Sequence, residues 1–482
     1  MVDLLIFILG LALCVQAVIG LTFFISSIWE KEKRASILGG LQLLGMLVLV
    51  VLFFFLNRVE FFDKGAGLAI MICALIAGVL GSLMLFSRLG TNPRALQGTK
   101  GLIVGEVRRF DARDLLPAEG DEHPTPQPEK VSEVGDTNIT ASKSENPMEE
   151  GPPPNPKELL FGGMGKLDKP HEGPNVAATI GSYMLPMRLA SPELVKPKGF
   201  GDSIELSPEE ATERIKGYTL NLGADLVGIA KLNPLWTYSN HGPTSMNPAD
   251  FGKEINVNHK YAIVFADEMS HGLVSAAPHT PTVIESMGNY AKGAFISVQL
   301  ATFIANLGYS ATANHMRHYE TMVVPLAVDA GLGECSRMGY LISKELGPRL
   351  RLSIVTTDLP LIPDKPVDIG VADFCRTCKK CAENCPSNSI PHGDMTEVNG
   401  TLRWEHNGKT CGELWSKTGS DCGVCMRVCP WGHAKTFPHK LIIEAVTRNK
   451  FSRRLFSIMD DIFYGREPKP LKGPGWVRYY EK

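Results

Sequence analysis

Eight cysteines fall in two runs toward the C-terminal end of the chain. Cys375, Cys378, Cys381 and Cys385 are separated by two, two and three residues, with Pro386 behind the last; Cys411, Cys422, Cys425 and Cys429 make the second run, with Pro430 behind it. Thiolates are soft ligands that hold iron-sulfur iron tightly, and close spacing lets one loop wrap three corners of a small cube. In this pattern the cysteine before each proline ligates the other cube. The spacing therefore predicts two 4Fe-4S clusters with crossed ligation, the first on Cys375, Cys378, Cys381 and Cys429, the second on Cys411, Cys422, Cys425 and Cys385. A zinc site starts from the same CxxC pairs but leaves the third cysteine of the first run and the two prolines without a reason. Disulfides fit such short, dense pairs less well.

These ligands need a scaffold, and the composition divides it sharply. Three apolar stretches occupy the first ninety residues, roughly Leu4 to Ile28, Ile37 to Leu56 and Ala66 to Phe86. Each approaches the roughly 20 residues a helix needs to cross the hydrocarbon core. The first lacks the basic start of a signal peptide and two more spans follow it, so three uncleaved helices anchored in lipid are expected. No twin-arginine pair precedes them. Lys31, Lys33 and Arg34 follow the first span and Arg58 and Lys64 the second, while Arg88, Arg94, Lys100, Arg108, Arg109 and Arg113 follow the third. Positive charge stays inside, which predicts an external N-terminus and a cytoplasmic catalytic domain on a multi-pass cell-membrane protein. The spans hold no acidic residue or histidine between their apolar ends, so they read as an anchor rather than an ion path. A net charge of −2 gives no basic face for a nucleic-acid partner.

Between anchor and cysteines the pattern changes twice. Residues 115–170 are rich in Pro, Glu, Asp and Ser, with Pro152, Pro153 and Pro154 in a row, and read as a flexible linker. From Ile204 on, helix and strand signals alternate. Ser207 caps a helix opened by Pro208 and running to Leu222; Ala224 to Ala230 and Tyr261 to Phe265 read as strands; Ser286 to Leu307 has helical spacing. Strand signals return at Thr321 to Val324 and Arg351 to Val355, and Phe437 to Asp460 reads as helix. The organisation predicted is an anchor at 1–90, a juxtamembrane segment and linker at 91–170, an α/β core at 171–365, a two-cluster module at 366–435, and a C-terminal helix and tail at 436–482 packing on the core. The fold class is α+β.

The segment Gly331-Leu-Gly-Glu-Cys-Ser-Arg-Met-Gly339, followed by Leu341-Ile342, Arg349 to Leu359 and the first cysteine run, resembles the corrinoid-dependent reductive dehalogenases. The likeness runs back through Asn221 to Ala230, Trp236, Tyr290 and Phe303 to Tyr309, covering roughly residues 200 to 440. Epoxyqueuosine reductases are a soluble related family. The resemblance implies a cobalamin-type corrinoid in a nitroreductase-like α/β core, with electrons passing from an electron donor through the two clusters to cobalt and halide leaving a small organohalide. It also implies a tyrosine proton donor kept poised by a basic residue, which points to Tyr290 and Arg337. Gly331 and Gly333, Asn314 and His315 are candidate cofactor contacts, with His318 close by. Respiratory members of the family typically carry a twin-arginine signal and use a separate anchor protein; fused spans instead agree with cofactor insertion in the cytoplasm and count against a respiratory role and the need for an anchor subunit.

Each of these residues also has an ordinary role open to it. Tyr290 could be a core residue with its hydroxyl satisfied, Arg337 a structural arginine, the glycines a turn, and His315 a surface histidine. Gly331 and Gly333 lack the third glycine and the strand-turn-helix setting of a dinucleotide site, so no nicotinamide cofactor is expected. Cys14 and Cys73 lie within spans and Cys335 in the glycine segment, all three read as packing residues. Two alternatives to dehalogenation stay open: an epoxide-reducing enzyme, and an electron carrier with no chemistry of its own.

Overall fold

The computed structural model describes residues 2–63, 65–114, 166–168, 172–242 and 250–477. The linker read at 115–170, apart from 166–168, lies outside the described residues, as do Lys64 and residues 478–482. The chain divides into two compact units. One comprises Met1–Asn92, Ile369–Cys378 and His433–Leu471; the other comprises Pro93–Asp368, Lys379–Gly432 and Lys472–Lys482.

In the first unit the three apolar stretches are helices, Val2–Trp29, Lys33–Arg58 and Gly65–Phe86, each long and apolar enough to cross a membrane. Their outward side chains, among them Leu4, Phe7, Leu11, Leu44 and Leu80, are apolar and exposed, as lipid-facing positions must be. Phe53, Phe62 and Met71 form their buried contact, with Leu9 and Leu13 against them. The segment read as one helix from Phe437 to Asp460 is two, Phe437–Arg448 and Lys450–Tyr464, broken at Asn449, whose φ of −138° and ψ of 128° are extended. Asn449 caps the second helix by accepting from Phe451 N at 2.7 Å, and its amide donates to Ser87 O at 3.1 Å and Ser87 Oγ at 3.0 Å. Ser452 Oγ donates to Leu85 O at 2.7 Å and the Phe23 and Phe463 rings meet edge-on at 5.1 Å. The sequence reading set residues 436–482 on the α/β core. His433–Leu471 instead fall in one compact unit with the apolar helices and Ile369–Cys378, while Lys472–Lys482 belong to the other unit.

The second unit is built on a four-stranded antiparallel sheet in the order Leu226–Lys231, Tyr261–Glu268, Leu350–Thr357, Ala311–Asn314. Alternate side chains feed two cores, as a pleated strand requires. Ala230, Val264 and Ile354 enter one, with Leu326 and Ala327; Ile229, Ile263 and Val355 enter the other, with Leu300, Ala301 and Ile304 of the long helix Thr280–Asn306. Burial on both faces explains the unbroken apolar run from Ala262 to Ala266. The expected α+β class is the one observed. The helix Pro208–Asn221 starts where its cap predicted, with Ser207 Oγ accepting from Glu210 N at 3.1 Å.

Two local expectations differ. Thr321 to Val324 is no strand: Thr321 makes one isolated bridge to Thr237, and Val323 opens the helix Val323–Asp329. The fourth strand is Ala311–Asn314, whose short run of small and polar residues carries no alternation, and whose pairing with Leu350–Thr357 alone places it in the sheet. The helix Glu172–Leu189, with Pro186 inside it, likewise has no strong sequence signal.

Candidate functional site

The second cysteine set lies wholly within the sheet-bearing unit. Cys411 sits on the helix Gly408–Thr418, Cys425 on the short turn of helix Val424–Arg427, Cys422 just before that turn, and Cys385 just after Lys380–Glu383. All four line one cavity, together with Tyr340, Asp421 and Met426. Burial, with the neighbouring thiols adding to it, pushes Cys411 up to about 12 and Cys425 well above the ordinary thiol range. Burial also raises Cys422 to about 11. Four thiolates gathered in one cavity repel one another, and iron is what makes such a set tolerable. Burial opposes ionisation of Cys385 as well, yet hydrogen bonds from Ser387, Ser389 and Ile390 hold its thiol below the usual range. Ser389 N lies 3.3 Å and Ser387 Oγ 3.5 Å from its sulfur. Such donors stabilise charge on a cluster ligand. The donor set fits a cluster.

Of the other four, Cys375 and Cys378 lie on the helix Val371–Cys378 in the first unit, and Cys381 and Cys429 belong to the second. All four are buried.

Beside the second cysteine set stands Arg351, at the start of the strand Leu350–Thr357. Its guanidinium carbon lies 5.1 Å from the centroid of the Tyr290 ring. One nitrogen, Nη2, donates to Ser286 Oγ at 2.6 Å and reaches Asp421 Oδ2 at 3.2 Å; Nη1 lies 3.8 Å from Met426 Sδ. Ser286 and Tyr290 are one helical turn apart on Thr280–Asn306, so one face of that helix presents both to the arginine. Burial opposes the Arg351 charge, but Tyr290, Asp421, Tyr340 and Tyr319 more than offset this and keep it charged. Burial raises the Tyr290 phenol above its ordinary value, while Arg351 pulls the other way. The result is a protonated phenol with a fixed cation over its ring. Tyr319 is raised further, by burial and then by the Tyr290 charge it would share.

Arg337 is engaged elsewhere. It is fully buried, its Nη1 donates to Pro391 O and Gly393 O at 2.6 Å each, and its guanidinium lies 4.7 Å over Trp404. The cation over Tyr290 is Arg351, which the motif reading did not single out. Its signal was faint: a charge opening the short strand run Arg351 to Val355.

Gly331 takes a φ of 75°, and a Cβ there would meet Lys365 O at 2.4 Å; one on Gly333 would meet Ile342 O at 2.1 Å. Both glycines are thus accounted for by the chain's own backbone. Asn314 Oδ1 accepts from Glu320 N at 2.8 Å and its amide donates to Thr312 O at 3.2 Å, holding the turn after the fourth strand. That turn passes Tyr290, because Met316 packs in the same cluster. On it, His315 Nε2 meets Leu189 O at 3.3 Å while its buried Nδ1 has no hydrogen-bond partner, and neither has His318 Nε2. Burial lowers both imidazoles to about 4, so both are neutral at pH 7.

Site and fold together define a two-cluster iron-sulfur protein with a tyrosine-arginine centre beside one cysteine set. A 4Fe-4S dicluster domain matches residues 374–433, which contain all eight cysteines. The tetrachloroethene reductive dehalogenase of Sulfurospirillum multivorans is 33% identical over 288 residues, 53% of this chain and 56% of that protein. That of Dehalobacter restrictus is 33% identical over 277 residues, 48% of this chain and 50% of its own. The solved catabolic reductive dehalogenase NpRdhA, in complex with 3-bromo-4-hydroxybenzoic acid, shares 29% identity and superposes with a TM-score of 0.54 over 60% of this chain and 42% of that one. These likenesses, in sequence and in fold, are to reductive dehalogenases. It spans about half the length of the relatives it matches.

Proposed function

We propose that this chain is a membrane-anchored reductive dehalogenase that replaces halide on an organohalide by hydrogen, using two 4Fe-4S clusters and a corrinoid. The observation that carries the reading is Arg351, which stacks on Tyr290 and also pairs with Asp421, the residue before Cys422. A proton donor and a cluster ligand loop thus share one cation. Replacing halide by hydrogen takes two electrons and one proton, and gives the product and a halide ion. A corrinoid bound beside Tyr290 would supply the reductive cobalt chemistry. His315 and His318, neutral and with ring nitrogens left over, fit contacts to an uncharged polar group such as an amide of that cofactor.

Tyr290 then holds its proton until it is needed: an ordinary phenol is protonated at neutral pH, and burial raises this one further. Arg351 lowers the cost of the phenolate left behind. Asp421 and Ser286 fix the arginine, so its plane cannot turn away from the ring. Cys385, Cys411, Cys422 and Cys425 would hold the cluster nearer to Tyr290. Cys375, Cys378, Cys381 and Cys429 are the ligands that the spacing predicts for the other cluster. The positive residues after the third span support a cytoplasmic orientation of the enzyme.

The test is halide release by anaerobic, corrinoid-loaded protein with a reduced viologen donor and a panel of chlorinated and brominated alkenes and phenols. Release that falls about 100-fold or more in Tyr290→Phe, with iron and cobalt contents unchanged, supports the reading. Clusters that reduce normally, with no halide released from any substrate, would make the chain an electron carrier. A reporter fused after Lys482 checks the orientation, and its export outside the cytoplasm would overturn that part.

A further inference from the structure

The first unit contains a second cluster of ligating side chains, remote in sequence from the cysteines. Glu30 follows directly on the first apolar helix, and its side chain is completely buried. Neither carboxylate oxygen has a hydrogen-bond partner. Facing it are two imidazoles from the start of the C-terminal helices. His439 Nδ1 lies 3.4 Å from Glu30 Oε1, and the His433 ring stacks on His439 with centroids 4.9 Å apart and planes 15° from parallel. One donor atom from each of the three residues lies within 4.8 Å of the other two.

The outer contacts are those of metal-binding histidines. His433 Nε2 is 2.6 Å from Asp460 Oδ1, and His439 Nε2 is 2.8 Å from Tyr464 Oη. A carboxylate or hydroxyl on one ring nitrogen fixes the ring and directs the other nitrogen to the metal. In both rings Nδ1 is then the nitrogen a metal would take; on His439 it would displace the Thr436 hydroxyl, whose Oγ1 lies 2.7 Å from Nδ1. Ligand atoms on tetrahedral zinc lie about 3.3 Å apart, so a modest closing of the three side chains completes the set. A buried carboxylate with no hydrogen-bond donor is costly. A cation removes that cost.

We propose that Glu30, His433 and His439 bind a divalent first-row transition metal, with zinc as the fitting ion, which clips the end of the first apolar helix to the C-terminal helix pair. Two neutral imidazoles and one carboxylate suit zinc, and a water completes four-coordination. The ligands stand some four hundred residues apart in sequence, so a bound metal closes a very long loop. The site is independent of the dehalogenase reading and takes no part in it.

The experiment uses full-length protein in detergent, with iron content matched between samples so that cluster-free cysteines cannot account for zinc. Each sample is incubated with zinc chloride and desalted, then zinc per chain and the thermal midpoint are read. Wild type is expected to retain about one zinc per chain and to melt higher with zinc. Glu30→Gln, which keeps the shape, should lose both effects. His433→Cys, which keeps a zinc ligand, should retain the metal, and so guards against a variant that merely misfolds. Equal zinc in wild type and Glu30→Gln, or no zinc in wild type, overturns the proposal.

Discussion

Tyr290 and Arg337 were linked by motif, whereas Tyr290 and Arg351 are linked by contact, and the two arginines should fail differently. Arg351→Gln removes the cation over the phenol and leaves Asp421 without its charge partner. Turnover should fall about 100-fold or more, and stability by roughly 3 kcal/mol, because the buried carboxylate is left uncompensated. Arg337→Lys keeps the charge but loses the fork that reaches Pro391 and Gly393 and the stack on Trp404. Here about 2 kcal/mol of stability should go, with kcat of the folded fraction unchanged. Steady-state rates and thermal melts on both variants check this. If Arg337→Lys lost turnover as heavily as Arg351→Gln, with no loss of stability, the assignment would reverse.

The turn at His315 and His318 sets a pH dependence. Both imidazoles are lowered to about 4 when folded, against 6.5 in an ordinary environment. Between those values the unfolded chain binds protons that the folded chain does not. Stability is therefore full above about pH 6.5 and falls as pH drops toward 4, by on the order of 3 kcal/mol per imidazole. Melting temperatures between pH 8 and 5 should show the fall, and His315→Asn should roughly halve it. A melt independent of pH in that window would refute the assignment.

At the scale of elements, Asn449 is the joint of the C-terminal helices. Its Oδ1 caps one helix and its amide serves the end of the third apolar helix, at Ser87. Asn449→Ala removes a cap worth about 1 kcal/mol and leaves buried carbonyls without a donor, so roughly 2 to 3 kcal/mol should be lost. The loss should appear as faster proteolysis between residues 436 and 466 of the detergent-solubilised protein. Asn449→Asp keeps the cap but turns a buried carboxylate against the Ser87 carbonyl and should cost at least as much as alanine. Asn449→Ala with wild-type protection would show that the joint is not needed.

For the whole molecule, the composition of the first unit bears on truncation. His433–Leu471 share that unit with Met1–Asn92, and the Phe463 ring packs on Phe23 while Arg34 Nε donates to Ile462 O at 2.8 Å. Removing the three apolar helices alone uncovers the apolar face of Lys450–Tyr464, which already exposes Phe451, Ile458 and Ile462. A protein starting after Asn92 is therefore expected to aggregate or require detergent, and to bind a hydrophobic dye more strongly than the full chain. A monodisperse, detergent-free product would show that the C-terminal helices need no such cover.

Features set by local pattern were legible in the sequence. Cysteine spacing announced the two-cluster module, because an iron-sulfur loop must place its thiolates within a few residues. Hydropathy announced the apolar helices, and the Ser207 cap and the run Tyr261 to Phe265 announced a helix and a central strand, since each follows from neighbours along the chain. The tertiary structure alone decided which arginine faces Tyr290, that Ala311–Asn314 and not Thr321 to Val324 joins the sheet, and that the C-terminal helices belong with the first ninety-two residues. Arg351 meets Tyr290 and Asp421 across sixty and seventy residues of sequence. No periodicity spans such distances, so only the folded chain, by excluding water and pairing charges, selects those partners.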